Sequence, residues 1–239
     1  LALARRVPER VTSPRLKNRA EQRWLAAHRL AGAVREAMPR LRALCEDGVP
    51  AHLAWDVYWA TRSIDHRLAG DAAALEAERA GAGERMTWRI RAAAERAQLG
   101  EDRDLDAVRA AMSESANDWA QLSYAYAALD RFADANEAAE RAVAIDDTDE
   151  DALAAMEESW VRKGELEQAI ACARRLAAIH PYQHIGPERL GALLARAMRE
   201  LDEALRCSHH AVDAAPFCHN AHWSRALALF ATGDLEGAG

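Results

Sequence analysis

The chain has 239 residues, half of them apolar but only 6% aromatic, and a formal net charge of −7. Its apolar excess is mostly alanine and leucine, both strong helix formers, while β-branched residues are scarce, so the composition argues against a sheet-rich fold and for an all-α one. No apolar run approaches the roughly 18 residues that a membrane-spanning helix needs, so a soluble protein without a membrane partner is expected.

The charge is uneven. Residues 1–112 carry 20 basic and 16 acidic side chains, whereas residues 113–239 carry 11 and 22. Most of the positive excess precedes Ala43, where 11 basic residues face only Glu9, Glu21 and Glu36. Two lysines stand against 29 arginines, which points to a GC-rich, bacterial genome. The four cysteines lack the spacing of a disulfide framework, and a reducing cytoplasm is the expected setting. The chain opens at Leu1 without the charged-then-apolar start of a secretory signal, and it stops at Gly239 part-way through a repeated unit. It is therefore read as a piece of a longer protein.

In chain order, the first expected element is one long helix from Arg15 to Leu44, with any break near Pro39. Trp24, Ala27, Ala31, Val34, Met38 and Leu41 advance in steps of three and four and supply its apolar stripe. Gly32 weakens this helix, since glycine costs roughly 1 kcal/mol relative to alanine in a helix interior. A second helix is expected over Ala51 to Leu68, with Trp55, Tyr58 and Trp59 read as core. A third covers Asp71 to Ala80 and ends at the turn Gly81-Ala82-Gly83. Met86 to Leu99 and Leu105 to Met112 then form a helix pair, readable as a degenerate repeat over 84–112 or as an unrelated helical cap. The Gly81-Ala82-Gly83 turn and Ser113-Glu114-Ser115 are the expected joints, and the second separates a helical N-terminal region over 1–112 from a region over 113–239.

The second region carries the strongest signal in the chain. A short phrase recurs at Asp130-Arg131-Phe132-Ala133-Asp134-Ala135, Gly164-Glu165-Leu166-Glu167-Gln168-Ala169, Arg199-Glu200-Leu201-Asp202-Glu203-Ala204 and Gly233-Asp234-Leu235-Glu236-Gly237-Ala238. Its closing alanines, Ala135, Ala169, Ala204 and Ala238, are almost evenly spaced. A period of about 34 with helical patterning between the phrases specifies stacked helix–turn–helix units, three whole and a fourth begun. Trp119, Leu122, Ser123 and Tyr126 share one face of the first helix, and Ala135, Ala139 and Ala142 line the helix after the turn. Leu153, Met156, Trp160, Ala169, Ala173 and Leu176 repeat the scheme, and one inserted residue near the third turn accounts for the slightly longer interval from Ala169 to Ala204. Thr148-Asp149-Glu150-Asp151 reads as a capping box, and Gly186-Pro187-Glu188 places proline in a first helical turn that tolerates it.

These residues resemble the tetratricopeptide repeat family. Trp119, Leu122, Tyr126, Ala135 and Ala142 match its pattern in the first unit, and Leu190, Gly191, Ala204, Ala211 and Pro216 match it in the third. Asp147 departs from the usual proline, and Ser123 and Glu157 depart from the usual small residue. The resemblance implies a right-handed superhelical solenoid that binds a protein or peptide on its concave face without bond chemistry. By the family's geometry, that groove takes Asn117 and Tyr124, then Asp151, Glu158 and Arg162, then Glu188, Arg189 and Arg196, and finally Asn220, Trp223, Leu227 and Phe230. Ala120 and Glu158 stand where the family's clamp for C-terminal carboxylates needs other residues, which disfavours that ligand class. The oligomeric state is left open.

Other chemistry is thinly represented. Cys207 with His210 and Cys218 with His222 have spacings that zinc ligands use, with His180 and His184 nearby. Repeat-equivalent Cys172 and the loop setting of the histidines favour a structural explanation, so no metal is assigned. There is no serine elbow, no phosphate-cradling loop and no dinucleotide fingerprint, so neither an enzyme nor a cofactor is expected. Two alternatives accompany the scaffold: a docking or regulatory arm of an enzyme whose catalytic domain lies outside this segment, and a nucleic-acid adaptor acting through the basic N-terminal helix. Leucine and alanine interleave with those arginines at helical spacing, which fits a solvated face, or docking onto the chain's own acidic repeats, better than a phosphate-binding face.

Overall fold

The computed structural model describes residues 13–30, 33–62, 64–101 and 103–234. Among these residues there are thirteen helices and no strand. They fall into two compact units that divide between Ser113 and Glu114.

The first unit contains α1 (Pro14–Leu30), α2 (Val34–Leu44), α3 (Ala54–Thr61), α4 (His66–Arg79), α5 (Ala82–Ala97) and α6 (Arg103–Ala110). Helix α1 packs on α2 and α3, and from α3 onward each helix packs on the next. The single helix expected from Arg15 to Leu44 is in fact two, and the interruption follows Leu30 rather than Pro39. The Ala33 N–H closes α1 on the His28 carbonyl at 2.9 Å, and Ala33 then serves as N-cap of α2. Pro39 is accommodated on the exposed face of α2, where its missing N–H deprives only the carbonyl of exposed Arg35. Ala31 and Gly32 lie outside the described residues.

The helix expected over Ala51 to Leu68 is also interrupted. Asp65 accepts the Leu68 N–H at 3.2 Å and so starts α4, which runs through the position where a separate third helix was expected. The glycine turn narrows to Gly81, the N-cap of α5.

Large side chains fill this unit. Trp24, Leu25, Leu41, Leu53, Val57, Tyr58 and Trp88 pack against the buried alanines of α4. Tyr58 and Trp88 meet edge to face with centroids 5.2 Å apart, and the Arg91 guanidinium lies 4.7 Å above Trp88. Trp55 departs from the expected aromatic core: it is 47% exposed and covered by Arg29 at 5.1 Å. Arg40 similarly lies over Trp24, and Arg42 pairs with Asp65 at 3.0 Å. Part of the arginine excess is thus engaged within the unit itself.

The second unit contains α7 (Ala116–Ala128), α8 (Phe132–Ile145), α9 (Glu150–Lys163), α10 (Leu166–Ile179), α11 (Ile185–Arg196), α12 (Leu201–Ala214) and α13 (His219–Thr232). α7 pairs with α8, α9 with α10 and α11 with α12; α9 covers the first hairpin, α11 packs on α10, and α13 covers the third hairpin. Such a unit buries each hairpin's apolar face only by stacking the next upon it. The contacting residues are small: Ala120, Ala139, Ala142, Ala152 and Ala155 form one buried cluster, and Ala169, Ala173, Ala195, Ala204 and Ala228 contribute to another.

Each of the three hairpins turns through a residue in the left-handed region, at Asp130 (φ 57°), Gly164 (φ 76°) and Met198 (φ 53°), and α13 ends on another, Gly233 (φ 84°). The third turn holds the inserted residue, and it needs a second left-handed position at Glu200 (φ 43°). The last part of the fourth phrase, ending at Ala238, lies outside the described residues. The expected capping box is corrected by one position. Asp149 is the N-cap of α9 and accepts the Ala152 N–H at 2.8 Å, while the Thr148 hydroxyl donates to Asp146 at 2.7 Å. Gly186 serves close approach: a Cβ there would lie 2.5 Å from the backbone nitrogen of Ala177, so α11 can rest on α10 only without a side chain.

Candidate functional site

A groove of about 330 Å³ runs between α9, α11 and α13. Helix α9 supplies Glu157, Glu158, Val161 and Arg162; α11 supplies Glu188, Arg189, Ala192, Leu193 and Arg196; α13 supplies Asn220 and Trp223. The three first-of-pair helices present these residues because their alanine faces are turned inward against the second-of-pair helices. Seven residues named from the family geometry are brought together here: Glu158, Arg162, Glu188, Arg189, Arg196, Asn220 and Trp223.

Arg189 organises the groove floor. Its guanidinium donates to the buried Glu157 carboxylate and, at 2.9 Å, to Glu158. Burial pushes the Glu157 carboxyl above the usual carboxylate range, with Arg189 pulling the other way. Arg162 completes the row, 3.7 Å from Glu158 and 3.4 Å from the Asn136 side-chain oxygen. Arg196 is exposed and makes no hydrogen bond or ion pair among the described residues, and Trp223 is 53% exposed. The floor is thus internally neutralised, while one cation and one aromatic ring remain available to an incoming chain.

The other named residues stand apart from this groove. Asn117 donates its side-chain amide to Asp151, and the Tyr124 hydroxyl donates to the Asp151 carbonyl at 3.3 Å, which ties α7 to α9. Burial drives the Tyr124 hydroxyl's pKa upward, so it stays a donor. Leu227 does not line this groove; it is half-buried and packs against the apolar cluster of α10 to α13. Phe230 is 67% exposed, two turns beyond Trp223 on α13. Ala120, placed at a clamp position by the resemblance, is fully buried among alanines and offers nothing to a ligand. Glu157, Val161, Ala192 and Leu193 line the groove without having been expected there. Glu157 alone leaves a trace in the sequence, as a charged residue where the repeat usually places a small one.

The departures from the repeat pattern have structural uses. The Ser123 hydroxyl donates to the Ala135 carbonyl at 2.8 Å across the first hairpin, and Asp147 pairs with Arg175 of the next hairpin. The four spaced metal candidates do not converge. Cys207 is half-buried on α12, where burial raises its pKa. His210 is exposed, and His222 donates its ring N–H to the Pro216 carbonyl at 2.8 Å. Among the described residues, Cys218 instead falls beside His184 and Glu188.

Helix pairs that recur at one regular period, each turning through a left-handed residue, define the second unit as a helical-repeat stack, the fold that the tetratricopeptide resemblance implies. Solved structures similar to the chain include MamA (TM-score 0.49, 21% identity, 65% of this chain and 87% of that one). Another is MamA from residue 41 onward of Desulfovibrio magneticus RS-1 (TM-score 0.49, 15% identity, 64% and 89%). A third is YrrB, described as a TPR protein with an unusual peptide-binding site (TM-score 0.47, 18% identity, 71% and 88%). No family model matches the chain, and no curated protein matches it.

Proposed function

We propose that the protein is a non-catalytic interaction scaffold that holds an extended protein segment in the groove between α9, α11 and α13. One observation carries the reading: Glu157 and Glu158 are matched by Arg189 and Arg162, while Arg196 and Trp223 stay exposed at the rim. A pre-formed surface of this kind binds by complementarity, with an aromatic side chain and an arginine as the usual anchors. The fitting partner is a peptide that sets an acidic side chain against Arg196 and an apolar one against Trp223. No helix among the described residues is long and apolar enough to cross a membrane, and the partner is taken to be a protein.

The test is selection from a random peptide library displayed against the immobilised chain, followed by affinity measurement on the enriched peptides. Peptides pairing an acidic with an aromatic or aliphatic residue should be enriched, and Arg196→Glu or Trp223→Ala should each weaken them about tenfold. Both residues are exposed, so folding should survive either change. Affinity untouched by both substitutions, or no enrichment, would refute the groove reading.

A further inference from the structure

At the start of α11 and α13, three side chains of different chemistry converge. His184 is the N-cap of α11, Glu188 follows it by one helical turn, and Cys218 is the N-cap of α13. One imidazole nitrogen, one carboxylate oxygen and the thiol sulfur lie within 4.8 Å of one another. All three residues are half-buried, and among the described residues none of the three side chains makes a hydrogen bond or ion pair elsewhere. His184 and Cys218 stand one full repeat apart in the sequence, so the repeat stacking is what brings the thiol over the histidine.

We propose that His184, Glu188 and Cys218 form a zinc site that pins the start of α11 to the start of α13. Thiolate, imidazole and carboxylate are all zinc ligands, at metal distances of about 2.0–2.3 Å, which places tetrahedral ligand atoms about 3.4–3.8 Å apart. The observed separations exceed that by no more than about 1 Å, a gap that side-chain rotation on two helix starts can close. Hard ions such as calcium and magnesium prefer oxygen ligands alone, and a thiol with an imidazole selects against them. On binding, the Zn–S bond forms as the Cys218 thiol gives up its proton to solvent, so the metal, the thiolate and the Glu188 carboxylate sum to zero charge. That neutrality matters, because two helix N-termini repel an uncompensated cation. Three protein ligands leave the fourth tetrahedral position for water. Glu188 also lines the groove, so metal binding withdraws one negative charge from the same α11 wall that carries Arg196.

The experiment is calorimetric titration of the chelator-treated full chain with Zn²⁺, paired with Co²⁺ absorption as a report on sulfur ligation. One Zn²⁺ per chain is expected. His184→Ala, Glu188→Gln and Cys218→Ser should each weaken it by at least about tenfold. Cys218→Ser should also abolish the thiolate-to-cobalt charge-transfer band, and Cys207→Ser with His210→Ala should leave both signals intact. Far-UV circular dichroism checks that each variant remains helical. Absence of stoichiometric binding, a cobalt band that survives Cys218→Ser, or equal losses in the Cys207 and His210 variants would overturn the proposal.

Discussion

The two units are both built of helices, yet they achieve burial by opposite means. In the first, helices of very unequal length are held apart by large side chains, with Trp24, Tyr58 and Trp88 wedged between them and arginines laid over the rings. In the second, helices of nearly uniform length approach until alanine meets alanine, and at Gly186 until a helix meets bare backbone. A wedge tolerates irregular lengths, because one big ring can fill whatever space the helices leave. A close-packed stack tolerates almost none, since each contact repeats the geometry of the last. Periodicity is therefore strong where side chains are small and faint where they are large.

This contrast can be broken from either side. The first unit should fail by shrinkage: Trp88→Ala should cost about 4 kcal/mol, read as a drop in the denaturant midpoint. The second should fail by growth: Gly186→Ala should cost about 3 kcal/mol, because the clash is with backbone that cannot rotate away. A Gly186→Ala protein of unchanged stability would show that α10 and α11 are not in close contact. Next in size comes Arg189→Ala, which strands Glu157 in the interior and should cost about 2 to 3 kcal/mol at neutral pH. Adding Glu157→Gln should recover most of that loss, since a neutral amide is cheaper to bury than an unpaired carboxylate. The pair should therefore be strongly non-additive in a double-mutant cycle. The smallest effect has the opposite sign. Met198→Gly should stabilise by about 1 kcal/mol, because glycine adopts the left-handed conformation without the side-chain penalty. An unchanged melting temperature would mean that the third turn relaxes when its neighbours allow it.

The N-terminal helices show where a linear reading fails. Trp24, Val34, Met38 and Leu41 are buried as their spacing requires, but the apolar stripe runs on across the interruption after Leu30 and so conceals it. Asp65, the cap that divides α3 from α4, is a local signal hidden by the apolar residues that continue at helical spacing on either side of it. In the groove, position within the repeat located Glu158, Arg189 and Arg196, since the first helix of each pair faces the same way. It could not reveal that Arg189 is shared between two carboxylates of the preceding hairpin, because those partners are distant along the chain and adjacent only in the stack.

By itself, then, the sequence determined the helical class, the period and the inward alanine faces of the second unit. All three follow from local propensity and from spacing along one chain. Tertiary structure decided which of the groove's charges are already paired, that Leu227 leans on the apolar cluster while Trp223 faces out, and that Cys218 meets His184 and Glu188 rather than Cys207 and His210. Those outcomes depend on how closely one hairpin settles on the next. That distance is set by the summed packing of many small side chains and is written in no single residue.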